Sequence, residues 1–115
     1  MTEAVVFDLD GTLVDIPIDY EKLFAEFKTI MQTENIRPLA EVISKTDAAT
    51  RETLFETWEK AELDVLNQVS VKAEGSKIYQ AHKSKRKALV TLQGRAIADA
   101  ILSRFNLSFE VIVTR

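Results

Sequence analysis

The sequence predicts an α/β protein in which a parallel sheet is interrupted after its first strand by a helical insertion. Short apolar runs of strand length occur at residues 4–7, 87–92 and 109–113. Between the first two runs, apolar residues recur at helical spacing. A single helical segment separates the last two runs, as expected for the crossover between parallel strands.

The composition excludes several classes of function. With 15 basic and 18 acidic residues the net charge is −3, which gives no electrostatic case for nucleic-acid binding. No apolar run approaches the ~18 residues of a membrane span, and no charged leader precedes the first strand. The chain has no cysteine, so disulfides and thiolate metal sites are excluded. We therefore expect a soluble, cytoplasmic protein with one modest core.

The first strand is expected at Ala4-Val5-Val6-Phe7, and it runs directly into Asp8-Leu9-Asp10-Gly11-Thr12. Side chains alternate along a strand, so Asp8 and Asp10 begin on the same side. Two adjacent carboxylates repel each other unless a cation or a shared proton offsets the repulsion. This arrangement favours a site for a divalent metal and an oxyanion. The alternative is a plain Asp-Gly turn in which Asp8 caps the strand end.

Apolar periodicity predicts helices in the insertion. Asp19 is a candidate N-cap for the first of them, and Pro38 separates the first from the second. We expect helices over residues 20–33, 39–45 and about 47–69. The apolar stripes on the first and third helices comprise Leu23, Phe24, Phe27, Ile30, Met31, Leu54, Phe55, Trp58, Ala61, Leu63, Val65, Leu66 and Val69.

The remaining segments predict the rest of the sheet. A helix over residues 72–82 would turn Ile78 and Tyr79 inward despite Gly75. A second buried strand is expected at 87–92, a helix at 95–105 and a third strand at 109–113. Gln93-Gly94 lies between the second strand and its helix, where it either joins a phosphate-binding nest or forms only a tight turn.

The segment Asp8-x-Asp10-Gly11-Thr12 after an apolar strand resembles the first motif of the haloacid dehalogenase-like (HAD) superfamily. The resemblance implies that Asp8 is the nucleophile, which takes a phosphoryl group as an aspartyl-phosphate. Asp10 would be the general acid/base that protonates the leaving oxygen and then activates water. Mg²⁺ would be held by the Asp8 carboxylate and the Asp10 backbone carbonyl. Because halide departure needs no proton, Asp10 argues for phosphoryl transfer.

The resemblance extends along the whole chain. It implies a Rossmann-like sheet with an inserted helical cap of type 1, as in phosphoglycolate phosphatase-like and phosphoglucomutase-like members. The core would comprise residues 1–14 and 72–115, and the cap residues 15–71. The second motif of the superfamily, a strand that ends in Thr or Ser, matches Lys87-Ala88-Leu89-Val90-Thr91.

By this resemblance the Thr91 hydroxyl and the Leu92 amide would bind phosphate oxygens, with Gly11 and Thr12 beside them. Leu92 departs from the Asn or Ser that usually follows the Thr. The implied function is a phosphatase for a small phosphorylated metabolite. A phosphomutase is a close variant.

The third and fourth motifs of the superfamily supply a Lys and further acidic metal ligands, and both lie beyond the third strand, where this sequence stops. The fold would then be incomplete, and we expect the 115 residues alone to be nearly inactive. Without a further strand, residues 4–7 would form an exposed sheet edge that recruits a partner. The sequence is therefore interpreted as a piece of a longer enzyme or as a chain that forms a homodimer through this edge. The rival function is a non-catalytic, truncated remnant that acts through self-association.

Overall fold

The computed structural model describes residues 4–115. Residues 4–115 contain five strands and five α-helices, with a short 3-10 turn at Leu66–Gln68. The strands are β1 (Ala4–Phe7), β2 (Val14–Asp15), β3 (Ser70–Val71), β4 (Arg86–Val90) and β5 (Val111–Val113). The helices are α1 (Tyr20–Met31), α2 (Leu39–Ser44), α3 (Ala48–Asp64), α4 (Ala73–Ala81) and α5 (Arg95–Phe105).

The three longer strands form a parallel sheet in the order β1-β4-β5. Val6 pairs with Ala88, Phe7 pairs with Leu89, and Val90 pairs with Val113. Parallel neighbours need crossovers, and these are supplied by the long segment that ends in α4 and by α5. The predicted fold class, a parallel α/β sheet with a helical insertion after its first strand, is confirmed.

One face of this sheet lies in the core of the α/β unit. Leu89, Ile97 and Ile101 are fully buried. The rings of Phe7, Tyr79 and Phe109 contact one another, with centroid separations of 5.7–6.1 Å. Such tilted and edge-to-face contacts are the preferred geometry of aromatic pairs. The aromatic cluster therefore helps to hold the end of β1, just before Asp8.

Contacts between Cα atoms divide the chain into two compact units. The α/β unit comprises residues 4–17 and Glu62–Arg115, and the helical unit comprises Ile18–Ala61. The core of the helical unit is formed by Leu23, Phe27, Ile36, Ile43 and Leu54, with Trp58 and other partly buried apolar residues packed against it. Within residues 4–115, no helix is both long and apolar enough to cross a bilayer.

The two units divide after Pro17 and before Glu62, whereas the sequence analysis placed the helical cap at residues 15–71. Val14 pairs with Val71 and Asp15 with Ser70 in the short antiparallel β2–β3 ladder, so the segments that enter and leave the insertion group with the α/β unit. The helix α3 ends at Asp64 and is followed by the 3-10 turn Leu66–Gln68, where the sequence analysis expected one helix to continue to about Val69. Two side chains expected to face inward, Leu63 and Ile78, are exposed.

Candidate active site

The Asp8–Asp10 segment lies at the carboxyl end of β1, next to the carboxyl end of β4. The last register pair of these strands is Phe7 with Leu89. Asp8 follows the end of β1 and Thr91 follows the end of β4, so both lie at the same edge of the sheet. Open parallel sheets bind ligands at this edge. The structure thus brings together the two segments that the sequence analysis singled out separately.

A tight loop follows Asp8 and is organised around one carbonyl. The Leu9 carbonyl accepts hydrogen bonds from the N–H groups of Leu13 at 3.0 Å and Val14 at 3.1 Å. Gly11 has a φ of +83°, a conformation that side chains rarely adopt, and its N–H donates to the Val14 carbonyl at 2.8 Å. Gly11 therefore serves the turn, and Thr12 lies half-buried beside it.

The two carboxylates are held by backbone N–H groups. One oxygen of Asp8 accepts from the Leu9 N–H at 2.7 Å, and one oxygen of Asp10 accepts from the Ile16 N–H at 2.9 Å. Asp8 is exposed and Asp10 is half-buried. Asp8 is therefore accessible to a substrate, while Asp10 is fixed from the far side of the loop.

Burial raises the pKa of the Asp10 carboxyl above its ordinary value of 3.8. The negative charges of Asp15 and Asp8 raise the pKa further, and the Ile16 N–H acts in the opposite direction. A raised pKa is the property expected of a carboxyl that donates and then retrieves a proton. It also means that the loop accumulates negative charge that its own hydrogen bonds do not fully offset.

We expect Asp10→Asn to raise the melting temperature of the metal-free protein by about 1–3 °C at pH 7. The folded-state pKa is raised, so the ionised carboxylate destabilises the fold at neutral pH, and Asn keeps an oxygen for the Ile16 N–H. The difference should shrink as the pH falls through the raised pKa and vanish well below 3.8. Calorimetry in EDTA across pH measures it. A lower melting temperature for the variant at pH 7 would contradict this account.

The oxygen atoms of Asp8 and Asp10 are suitable ligands for a hard divalent cation, but they supply only part of its coordination. Carboxylate and carbonyl oxygens are the ligands that Mg²⁺ prefers, and it commonly retains several waters. Within residues 4–115, Asp8 and Asp10 are not joined by a third acidic or histidine side chain in a metal-binding group. These two residues therefore fit one side of a magnesium site, with water completing the coordination.

The segment Thr91–Gly94 forms a turn between β4 and α5. The Thr91 hydroxyl donates to the Gln93 side-chain oxygen, and the Gln93 N–H points back to the Thr91 hydroxyl at 3.3 Å. Both side chains are buried, whereas the Leu92 side chain is 77% exposed. For the Thr91 hydroxyl to donate to a phosphate, its hydrogen must leave Gln93.

Sequence reasoning missed two residues that hold this turn. The Glu62 carboxylate accepts from the Gly94 N–H, with 3.2 Å to each oxygen, and it pairs with the Arg115 guanidinium. The Gly94 N–H is therefore bonded to a carboxylate of the protein itself, which favours the tight-turn alternative over the nest. The interaction joins residues far apart in sequence, so no local signal could have revealed it.

Gly75 was also missed, because within a helix it reads only as a weak helix former. It is buried where α4 approaches the loop after Asp10. A Cβ at this position would overlap the Thr12 carbonyl and lie 2.9 Å from the Leu13 Cα. The glycine thus allows the helix and the site loop to pack backbone against backbone.

Two surface grooves are lined by residues of the helical unit. One is lined by residues of α1 and the segment after it, including Lys28 and Arg37, and the other by residues 24 and 36–39. Neither lining includes Asp8, Asp10, Thr91 or Leu92. The candidate site is therefore recognised by its chemistry and its position at the sheet edge.

No protein-family model and no curated protein matches the sequence. Solved structures do match. A hydrolase from Pseudomonas syringae is 21% identical with a TM-score of 0.65, over 100% of this chain and 60% of its own. A haloacid dehalogenase-like hydrolase from Streptococcus pneumoniae is 15% identical with a TM-score of 0.59, over 99% and 61%. CbbY from Rhodobacter sphaeroides, solved with phosphate, is 16% identical with a TM-score of 0.61, over 99% and 64%.

The chain therefore spans 60–64% of the length of these three structures. At such low identities the likeness establishes the fold. It covers both the parallel sheet and the helical insertion, because nearly all of this chain is aligned. The protein has the fold of the haloacid dehalogenase-like hydrolases.

Proposed function

We propose that the protein is a Mg²⁺-dependent phosphohydrolase that acts on a small phosphate monoester through an aspartyl-phosphate on Asp8. The observation that carries the proposal is the placement of an exposed Asp8 and a half-buried Asp10 at the carboxyl end of β1, beside the turn after β4. The resemblance of this segment to the first HAD motif supports it, as does the shared fold.

The chemistry divides between the two carboxylates. An Asp8 oxygen attacks phosphorus, the phosphorus–oxygen ester bond breaks, and Asp10 gives its proton to the leaving alkoxide. Water then attacks the acyl phosphate, Asp10 accepts a proton from that water, and inorganic phosphate leaves with the Asp8 carboxylate restored. The raised pKa of Asp10 supports its role as the acid of the first step.

The turn after β4 would orient the phosphoryl group. Within residues 4–115 the Leu92 N–H donates no hydrogen bond, so it is the first donor we assign to a phosphate oxygen. The Thr91 hydroxyl is the second, after its hydrogen leaves Gln93. Donors fixed before the reaction stabilise developing charge without reorganisation.

The Asp8 carboxylate and the Asp10 backbone carbonyl would hold Mg²⁺. A bound Mg²⁺ neutralises phosphoryl charge and orients the phosphate for in-line attack. Its charge would also relieve the repulsion among Asp8, Asp10 and Asp15.

We assign none of the described residues to the charge-neutralising role of the third HAD motif. Lys87, the buried lysine of β4, donates to the carbonyls of Lys83 at 2.9 Å and Lys85 at 3.3 Å. These groups precede or open β4 and so lie at the opposite end of the strand from Thr91. We therefore propose that the 115 residues alone hydrolyse substrate slowly.

A phosphomutase is a close variant of this proposal, because it would use the same two carboxylates. We also propose a cytoplasmic location, which the absence of cysteine fits.

Beryllium fluoride, which mimics a phosphoryl group on a carboxylate, tests the proposal without requiring turnover. We expect the wild-type chain to bind it only with Mg²⁺, giving a protein-bound ¹⁹F resonance and a higher melting temperature. Asp99→Asn, an exposed change on α5, should behave as wild type. Absence of binding at saturating Mg²⁺ would overturn the proposed function.

A second candidate function is self-association through the sheet. Among the described strands β1 is an edge, and Val6 is 66% exposed. By register Val6 lies on the same face as Val111, with Val90 and Val113 beside them, and all three are about half exposed. Exposed edges and apolar faces of this kind favour association. This supports a homodimer through β1.

We expect Val6→Lys to convert any dimer to monomer, because lysine on an edge strand opposes pairing. Sedimentation over a range of protein concentrations measures the change. Ile78→Lys is the matched control, since Ile78 is also about half exposed but lies on α4. A wild-type chain that stays monomeric at high concentration would exclude this candidate.

A further inference from the structure

We propose that the Glu62–Arg115 ion pair is a buried clamp that sets the conformation of the turn Thr91–Gly94, which makes Glu62 a positioning residue of the phosphate-binding turn. The assignment of that turn to phosphate rests on the proposed function. The clamp itself rests on contacts within the α/β unit.

The ion pair has the geometry of a specific, two-pronged interaction. Glu62 is fully buried, and the Arg115 side chain is only 10% exposed. The two guanidinium nitrogens meet the two carboxylate oxygens at 2.8 and 3.1 Å. This bidentate arrangement fixes the planes of both groups as well as their separation.

The two residues of the ion pair form hydrogen bonds with several backbone groups of the turn. Glu62 accepts the Gly94 N–H, and the Arg115 guanidinium also donates to the Leu92 carbonyl at 3.3 Å. The Arg115 N–H donates to the Gln93 carbonyl at 3.0 Å. Each residue from Leu92 to Gly94 therefore has a backbone group bonded to one member of the pair.

A gain in the free energy of unfolding does not explain why the Glu62–Arg115 pair is buried. Burying two charges has a large desolvation cost, and well-packed apolar residues are often as stable or more stable in their place. A buried pair that instead dictates backbone direction explains why the charges are found here. The peptide linking Thr91 and Leu92 is the one we assign to phosphate, and its orientation follows from the bonds on either side of it.

The clamp also includes a residue next to the helical insertion. Glu62 lies in the last turn of α3, the helix that leaves the insertion, and it is the first residue after the helical unit. The phosphate-binding turn is thus bonded to the point where the chain re-enters the α/β unit. Movement of Glu62 would be transmitted directly to the Gly94 N–H.

The test compares Glu62→Gln with Glu56→Gln, which makes the same change on an exposed part of α3. We expect Glu62→Gln to weaken Mg²⁺-dependent beryllium fluoride binding at least tenfold and to leave Mg²⁺ affinity unchanged, since Asp8 and Asp10 are intact. The Gly94 amide should exchange its hydrogen at least tenfold faster relative to core amides of α5. Arg115→Lys keeps the positive charge but removes the bidentate geometry, and we expect it to change beryllium fluoride affinity and Gly94 exchange in the same direction. It replaces Glu62→Gln in the test if Glu62→Gln does not fold.

Two outcomes of the binding comparison would overturn the clamp. Equal losses of beryllium fluoride affinity and Mg²⁺ affinity in Glu62→Gln would indicate a merely structural residue. Tighter beryllium fluoride binding would show that Glu62 only neutralises Arg115. If the wild type binds no beryllium fluoride, the proposed function fails, and the Gly94 exchange rate alone decides the clamp: unchanged exchange in both variants would refute it.

Discussion

Replacing Asp8 by Asn is expected to abolish Mg²⁺-dependent beryllium fluoride binding and to lower any phosphatase rate by at least about 10³-fold. The amide oxygen can still accept the Leu9 N–H, so the loop should keep its geometry. What is lost is the anionic oxygen that we propose as the nucleophile, together with one ligand of the proposed metal site. The fluorine resonance and hydrolysis of p-nitrophenyl phosphate measure the two losses separately.

Asp10→Asn provides the informative contrast to Asp8→Asn. It removes the proposed acid/base and leaves the proposed nucleophile, so beryllium fluoride binding should persist while turnover falls. Asp15→Asn, which changes a nearby exposed carboxylate of β2, should change either property by less than about threefold. Full binding by Asp8→Asn would exclude the proposed nucleophile, even if the protein proved to be a phosphatase.

The parallel sheet could be predicted because its signals are local. The apolar run before Asp8-x-Asp10-Gly11 indicates both strand β1 and its carboxyl end. The apolar run before Thr91 likewise indicates β4 and its carboxyl end. The rule that parallel strands end at a common edge then brings Asp8 and Thr91 together. The register of β1 with β4 agrees with that expectation.

Features that depend on tertiary contact could not be predicted. The β2–β3 ladder consists of two residue pairs, too short to have a periodic signature, yet it pairs the segments that enter and leave the insertion. Glu62 reads as one of several acidic residues on a helix until Gly94 and Arg115 are placed beside it. Residues that hold a turn or loop through such long-range contacts therefore leave no local signal in the sequence.

Gly75→Ala is expected to destabilise the protein by about 2–4 kcal/mol, a fall in melting temperature of roughly 10 °C. Helix propensity alone predicts the opposite, a gain of up to about 1 kcal/mol. The new methyl group would overlap the Thr12 carbonyl, and no flexible side chain is available to move away. Either α4 or the loop after Asp10 must shift, so the steric cost should exceed the gain in helix propensity.

Gly11→Ala separates steric overlap from backbone strain. A Cβ at Gly11 would meet no atom within 4 Å, but its φ of +83° makes the substitution strained, at a cost of about 1–2 kcal/mol. Thermal unfolding should therefore rank Gly75→Ala below Gly11→Ala. Because the loop displaced by Gly75→Ala carries Asp10, beryllium fluoride binding should also weaken in the fraction that remains folded. A melting temperature above that of wild type would mean that α4 does not pack against the site loop, and the support we infer for Asp10 would have to come from elsewhere.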